Sequence, residues 1–337
     1  MDIKTKYLGL DLRNPIIVGA SNLVTDTDML KKLEDAGAAA IVYKSLFEEQ
    51  IHLENLELHQ DMTDYNERNA EMTNLFHDNL YEAGADEFIF AFEKAKKAIN
   101  IPLIASLNAV YDETWYEYAK RLQNAGADAI ELNFYAVPVD FDVDGRGIIN
   151  EELDVIEGVK KAVTIPVSVK LSPFYTNPLF TIAEMTKRGA DGFVLFNRLF
   201  QPDINIDSET HHFPYNLSHE QDARLALRFA GLLYGQLDAS ICSSMGVFTG
   251  ADVIKMILAG ADVVQVVSTI YKHGPKQITR MLQDIEDWMT TKQYDTLESF
   301  RGKLSNLHTK DPYTYRRAQY VDILMKSNEI FKKYPLR

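Results

Sequence analysis

Two lysines and three asparagines stand where short apolar runs end. Lys44 follows AAIVY, Lys170 sits in VSVKL, Asn108 follows LIASL, Asn133 follows AIEL and Asn197 follows GFVLF. Small residues and serines hold the same kind of place at Ala20-Ser21, Ser45, Ser106, Ser243-Ser244 and Ser268. Fixed amides beside fixed cations suit a planar heterocycle with urea-like edges, which needs in-plane donors and acceptors and a positive charge where reduction leaves a negative one. A flavin has that outline, and so does a pyrimidine. A single lysine at a strand end also satisfies itself by lifting its ammonium into solvent. Two lysines with three amides are harder to place that way. No carboxylate pair joins them, so glycosidase-type acid catalysis lacks its tools. The eight histidines form no metal constellation, since the adjacent His211 and His212 do not share a face, and no metal site is expected.

The elements that position these residues announce themselves through a repeated phrase. Ala36-Gly37-Ala38, Ala125-Gly126-Ala127-Asp128, Gly189-Ala190-Asp191 and Ala259-Gly260-Ala261-Asp262 each follow a stretch with helical spacing and precede an apolar run. Glycine in that place ends a helix cheaply, and a non-alternating Val/Ile-rich run reads as a strand buried on both faces. Further runs are entered through proline, at Pro15-IIVGAS, Pro102-LIASLN and Pro166-VSVKL, with Asp238-ASICSS as a version lacking it; proline fits the first residue of a strand. Together these make about eight strands alternating with helices, which demands a parallel sheet with right-handed crossovers and predicts a (β/α)8 TIM barrel. A doubly wound open sheet is the alternative, weakened by the lack of GxGxxG after the first strand. Ala83-Gly84-Ala85-Asp86 mimics the phrase, but EFIFAFEKAKKAI after it has helical spacing. In a barrel, the loops after the last two strands usually hold phosphate. Ser243-Ser244-Met245-Gly246-Val247 precedes a helix expected near Thr249, and Val267-Ser268-Thr269 one expected near Pro275.

The chain has 337 residues and is 46% hydrophobic, enough for a large core. Its net charge of −14 argues against nucleic acid and against an anionic membrane surface as partners. Cys242 is the sole cysteine, which excludes an internal disulfide. With no signal-peptide core and no apolar run of about 20 residues, a cytoplasmic protein is expected. We divide it into a barrel over 1–303, with 45–97 as an acidic insertion of the length of a lid after the second strand, and a C-terminal helical extension over 304–337. The tail is locally basic (Arg316, Arg317, Lys332, Lys333) and amphipathic around Ile323, Leu324, Ile330 and Phe331, which suits a packed or partner-contacting helix.

From Asn14 to about Leu304 the chain resembles dihydroorotate dehydrogenase of the soluble class 1 type, an FMN-dependent family. The motifs that carry this are Asn14-Pro15-IIVGAS, Lys44-Ser45, ELN at Glu131-Leu132-Asn133, VSVKLSP, VLFN and MGVFTGADVIKMILAGADVVQVVSTIYKHGP. DTLESFRGKLS looks like the family's terminal helix. The resemblance implies an oxidoreductase acting on CH–CH bonds in pyrimidine biosynthesis, with a pyrimidine-like small-molecule substrate. Flavin contacts would fall to Ala20, Ser21, Lys44, Ser106, Asn108, Asn133, Lys170, Asn197 and Ser244, and phosphate contacts to Gly246 and Ser268. Lys44, Asn133 and Asn197 would also face substrate. A homodimer is carried as the expected assembly, with no residue pattern behind it.

The chain departs from the family where chemistry is expected. After ELN the family has a cysteine or serine base, but this chain reads NFYAVPVD, putting Ala136 or Val137 there. Neither accepts a proton; Tyr135 is the one nearby candidate. The family's Asn-rich substrate loop is absent, Arg198 stands where a small hydroxyl residue is usual, and Met245 replaces a glycine. Two other readings stay open. One is a Schiff-base aldolase using Lys170, the other a flavin-binding homologue without turnover.

Overall fold

The computed structural model describes residues 1–48, 80–108, 112–135, 141–199, 201–212, 217–311, 313–316, 318–325 and 332. Eight parallel strands close into a barrel: β1 (Ile16–Val18), β2 (Ala40–Val42), β3 (Leu103–Asn108), β4 (Ala129–Asn133), β5 (Val167–Leu171), β6 (Gly192–Leu195), β7 (Ser240–Ser243) and β8 (Val263–Val266). Each pairs with the next, and β8 returns to β1 through Gln265 opposite Ile17. All eight expected runs are strands. Around them lie α1 (Thr27–Asp35), α2 (Leu80–Ala98), α3 (Asp112–Asn124), α4 (Gly145–Ala162), α5 (Pro178–Lys187), α6 (Ala223–Leu233), α7 (Gly250–Ala259), the short α8 (Ser268–His273) and α9 (Lys276–Lys292).

The apolar runs look continuous because both faces of each strand are covered. On β1, Ile17 packs inside the barrel, while Ile16 and Val18 pack outward against the helical layer. Inside, the lower layer is apolar, formed by Ile17, Val42, Ile104, Val194 and Val263. An antiparallel N-terminal hairpin, Thr5–Tyr7 with Leu10–Leu12, plugs that end with buried Tyr7, Leu8 and Leu12. The interior turns polar upward: β4 presents Ala129, Glu131 and Asn133 at the two-residue strand period, and β3 presents Ile104, Ser106 and Asn108.

The repeated phrase has a structural task. Asp128 donates its backbone N–H to Leu103 O (3.1 Å) and accepts the Leu103 N–H on its carboxylate (2.7 Å). Asp191 clamps Val167 in the same two ways, at 2.8 and 2.7 Å, and Asp262 clamps Ile241 at 2.8 and 2.7 Å. Each carboxylate also holds one cation, from Lys96, Lys160 and Arg301 respectively. The fourth copy lacks the aspartate, and Asn14 Oδ1 accepts the Ile16 N–H instead (2.9 Å). The barrel is therefore four strand–helix–strand units, each clamped at its lower end. Gly37, Gly126, Gly189 and Gly260 turn into these clamps at positive φ, between 94 and 129°.

Two expectations need correction. The segment 80–98 is not insertion but the barrel's own second helix, burying Phe92 and Ala95 in the core; only residues before it are extra, and 49–79 lie outside the described residues. The helix after β8 begins at Ser268 rather than near Pro275, which instead leads into α9. A helix α10 (Ala318–Met325) forms in the tail, where a packed or partner-contacting helix is expected, with Tyr320, Val321, Leu324 and Met325 exposed.

Candidate active site

Six of the residues expected at the C-terminal strand ends meet at one place. Ala20, Lys170, Asn197, Ser244, Gly246 and Ser268 line one cavity of about 180 Å³. Asn133 joins through Asn197, whose Nδ2 donates to Asn133 Oδ1 at 2.5 Å, both amides being buried. Across the barrel Ser45 and Ser106 share a hydrogen bond (2.7 Å), Asn108 is buried beside them in sequence, and Lys44 is half-buried two residues beyond β2. Ser21 caps the first strand's end and begins the short turn Asn22–Val24. Tyr135 is half-buried. Ala136 and Val137, the places of the missing base, lie outside the described residues.

Under this rim lies a carboxylate that the sequence reading treated only as part of a motif. Glu131 has no exposed surface; its Oε2 accepts from Gln265 Nε2 (2.5 Å) and its Oε1 lies 3.7 Å from Lys170 Nζ. A buried charge needs an opposite charge to be tolerated, and Lys170 supplies it. Lys170 is thus held from below, its side chain 12% exposed, rather than lifted into solvent. Several buried oxygens at this end have no hydrogen-bond partner among the described residues: Ser21 Oγ, Ser243 Oγ, Glu131 Oε1 and Gln265 Oε1. Cys242 also faces the interior, where burial pushes its thiol up and leaves it unreactive.

The loop after β7 is strained. Met245 has φ +67°, a left-handed conformation that costs a side-chain-bearing residue roughly 1–2 kcal/mol. Gly246 follows at φ +66°, where an added Cβ lies 2.4 Å from Ala223 N and 2.8 Å from His219 O. The start of α6 therefore packs directly on this loop. Thr249 caps α7 reciprocally with Asp252, as expected for a helix near Thr249. Ser268 Oγ accepts from both the N–H and the hydroxyl of Ser218 (2.9 Å each), and Lys272 Nζ donates to Ser218 O (3.2 Å). Ser218 and Lys272 were not anticipated, because the loop carrying Ser218 has no spacing signal. Arg198 pairs with Asp222 at the start of α6.

Two larger cavities flank the small one. One, of about 790 Å³, is lined by Phe134, Phe174, Tyr175, Phe180 and Glu152. Tyr175 donates to both Glu152 oxygens (2.9 and 2.8 Å), and burial pushes the Glu152 carboxyl up to about 7. The other, of about 740 Å³, lies between α6 and the tail.

Comparison with known proteins agrees with this geometry. A family model described as dihydroorotate dehydrogenase matches residues 2–289. The dihydroorotate dehydrogenase B (NAD(+)) catalytic subunit of Methanocaldococcus jannaschii is 27% identical over 89% of this chain and 97% of its own length. That of Methanocella arvoryzae is 30% identical over 81% and 88%. The NAD-dependent dihydropyrimidine dehydrogenase subunit PreA of Escherichia coli is 24% identical over 90% and 77%. The match of that family model over residues 2–289 shows that the chain belongs to the dihydroorotate dehydrogenase family.

Proposed function

We propose that this chain is an FMN-dependent oxidoreductase acting on a CH–CH bond of a dihydropyrimidine-like substrate. The barrel over 1–303 is its catalytic unit and 304–337 an accessory extension. The carrying observation is the convergence of Ala20, Lys170, Asn197, Ser244, Gly246 and Ser268 on one cavity, above buried oxygens of Ser21, Ser243 and Gln265 that have no hydrogen-bond partner among the described residues. Unsatisfied buried oxygens cost about 1–3 kcal/mol each unless a partner arrives, and a polar heterocycle with a ribityl arm supplies donors there. The residues present fit FMN.

Bound FMN supplies the hydride acceptor. The protein's own work is positioning and charge. Lys170 offers a cation at the ring edge, kept in place by Glu131 beneath it. The Asn133–Asn197 bond uses one donor and one acceptor, which leaves Asn133 two N–H groups and Asn197 one carbonyl for amide edges. Lys44 stands at the substrate side, and Tyr135 is the candidate to take a proton. These groups are fixed before substrate arrives, so they need no reorganisation during reaction. The Lys170–Glu131 pair favours this reading over a Schiff-base aldolase, which needs a neutral, unpaired amine. A cytoplasmic setting and a homodimer accompany the reading. No helix among the described residues is long and apolar enough to cross a membrane.

Heat release of the cofactor followed by chromatography tests the proposal: FMN is expected, and FAD or no flavin overturns it. Anaerobic mixing with dihydroorotate then tests the substrate half. Without a cysteine or serine base, flavin bleaching should be roughly 10²–10⁴-fold slower than in a base-bearing relative. Bleaching as fast as in that relative refutes the argument, and Tyr135→Phe then shows whether Tyr135 is the base.

A further inference from the structure

The larger cavity between α6 and the tail has a charge pattern the flavin reading does not use. Arg198, Arg224 and Arg228 line it, and Asp222 is the lone carboxylate among the described lining residues. Asp222 is already paired with Arg198. Neither Arg224 nor Arg228 has a carboxylate partner among the described residues; Arg228 donates to Tyr315 O (2.9 Å). Both sit on α6 four residues apart, so they share a face and repel each other. The first turn of α6 adds the positive end of a helix dipole to the same space. Arg224 and Arg228 thus place two positive charges side by side, in a chain of net charge −14, with no carboxylate against either among the described residues.

The cavity is also built rather than incidental. Its outer wall is Tyr315, seated on Gly231 so closely that a Cβ there lies 2.2 Å from Tyr315 Oη, and tied by its hydroxyl to Leu304 O (2.7 Å). Apolar side chains complete it, with Phe174 74% and Leu225 39% exposed. Its inner end is Asn197 and Met245, which also line the small cavity of the candidate flavin site.

We infer that this cavity binds the oxyanion end of an elongated, partly apolar molecule, held by Arg224 and Arg228, whose other end reaches Asn197. Guanidinium forks take carboxylate or phosphate through paired charge-assisted bonds, and Phe174, Leu225 and Met245 cover an apolar body. A larger, acid-tailed substrate accounts for the absence of the family's compact substrate loop. That extension to substrate class rests on the flavin reading; binding itself does not.

Isothermal titration of the full chain, as purified, with 4-phenylbutanoate, phenyl phosphate and the neutral 4-phenylbutanamide tests the site. One or both acids should bind at least tenfold tighter than the amide, and the tighter acid identifies the oxyanion. Arg224→Gln, an exposed position away from the candidate flavin site, should weaken the acid at least fivefold and Arg224→Glu should abolish its binding, with the amide unaffected in both. Unchanged melting temperatures keep a folding defect from mimicking this result. Equal binding of acid and amide, or unchanged acid affinity in Arg224→Glu, overturns the inference. No preference for the acids in the unsubstituted protein, with flavin present, refutes this inference alone. Acid binding by a protein that carries no flavin refutes the previous reading alone.

Discussion

At the lower end of the barrel, Asp128, Asp191 and Asp262 each satisfy an N–H at the start of a strand and a neighbouring cation, and their own N–H groups are used as well. At the upper end, Ser21, Ser243, Glu131 and Gln265 keep buried oxygens without a hydrogen-bond partner among the described residues, and Met245 sits in a conformation suited to glycine. Both ends come from the same eight strands and the same helices. The difference is one of degree: the lower clamps use their carboxylates internally, with Tyr7 Oη and Arg301 Nε the buried atoms at that end that lack a hydrogen-bond partner among the described residues, whereas the upper end leaves four such oxygens at the end that carries the small cavity. A polar group whose partners are all internal belongs to stability, whereas one without partners points to a ligand.

The sharpest way to break this contrast is at the most enclosed clamp. Asp262→Ala removes the acceptor for the Ile241 N–H and one of the two carboxylates that pair with Arg301, whose side chain is only 9% exposed and is left with Glu298 and Thr5. We expect a loss of about 3 kcal/mol in denaturant unfolding. Asp128→Ala should cost less, about 1–2 kcal/mol, because Lys96 is 29% exposed and turns to water. Ser243→Ala at the upper end removes an unsatisfied hydroxyl and should leave stability of the cofactor-free protein unchanged or raised. A Ser243→Ala loss as large as that of Asp262→Ala dissolves the distinction.

Next in size is the pH dependence of Glu152 on the upper rim. Burial raises its carboxyl to about 7, above the ordinary 4.5 of an unfolded chain. Between those values the folded protein holds a proton that the unfolded chain has released, so stability falls as pH rises from about 4.5 to 7 and then levels. Glu152→Gln keeps an oxygen for Tyr175 and removes the titration. It should be more stable than the parent by roughly 1–3 kcal/mol at pH 8 and nearly equal to it at pH 4, read from urea midpoints. A constant difference across pH refutes the assignment.

Glu131→Gln tests the upper end where it meets the cofactor. The amide keeps an acceptor for Gln265 and takes away one negative charge beneath Lys170. At several ångströms in a medium of intermediate polarity, one charge is worth on the order of 1–2 kcal/mol. That corresponds to roughly 20–40 mV upward in the two-electron potential of bound flavin, measured by dye-coupled reduction. An unmoved potential with full flavin content means Glu131 only braces the barrel.

Much of this was legible in the sequence, for reasons that differ between the ends. The phrase with glycine and aspartate marks every second strand, and proline marks most of the others, so the four units can be counted directly. The upper rim was legible as polar residues ending apolar runs. The inward columns were not, because runs such as AIELN and VVQVV read as strands buried on both faces, which does not say which side is polar. The signal was present: a glutamate or glutamine inside such a run must face a partner, since burial without one is costly. The clamps were missed for another reason. The aspartate's place in the phrase is local, but the N–H it accepts lies 21 to 25 residues away, on the preceding strand. Ser218 and Lys272 gather at Ser268 through loop packing that no periodicity encodes.

The smallest expected effect separates the two ends by backbone alone. The lower turns place glycine at positive φ, as at Gly126 (φ +94°), where the nearest atom to an added Cβ is Lys96 Cγ at 3.5 Å. The upper turn places Met245 at φ +67°. Gly126→Ala therefore has room for its methyl group and pays only in backbone strain, so it should destabilise by about 1 kcal/mol. Met245→Gly relieves strain of similar size but frees the unfolded chain, so its net gain should stay below about 1 kcal/mol. Met245 also lines both the small cavity and the larger one beside it, so its removal should weaken flavin retention while the protein itself holds or gains stability. Opposite signs for fold and flavin are the mark of strain kept for binding. If Met245→Gly lowers the melting temperature and leaves flavin content unchanged, the methionine is there for packing, and the upper turn is no different in kind from the lower ones.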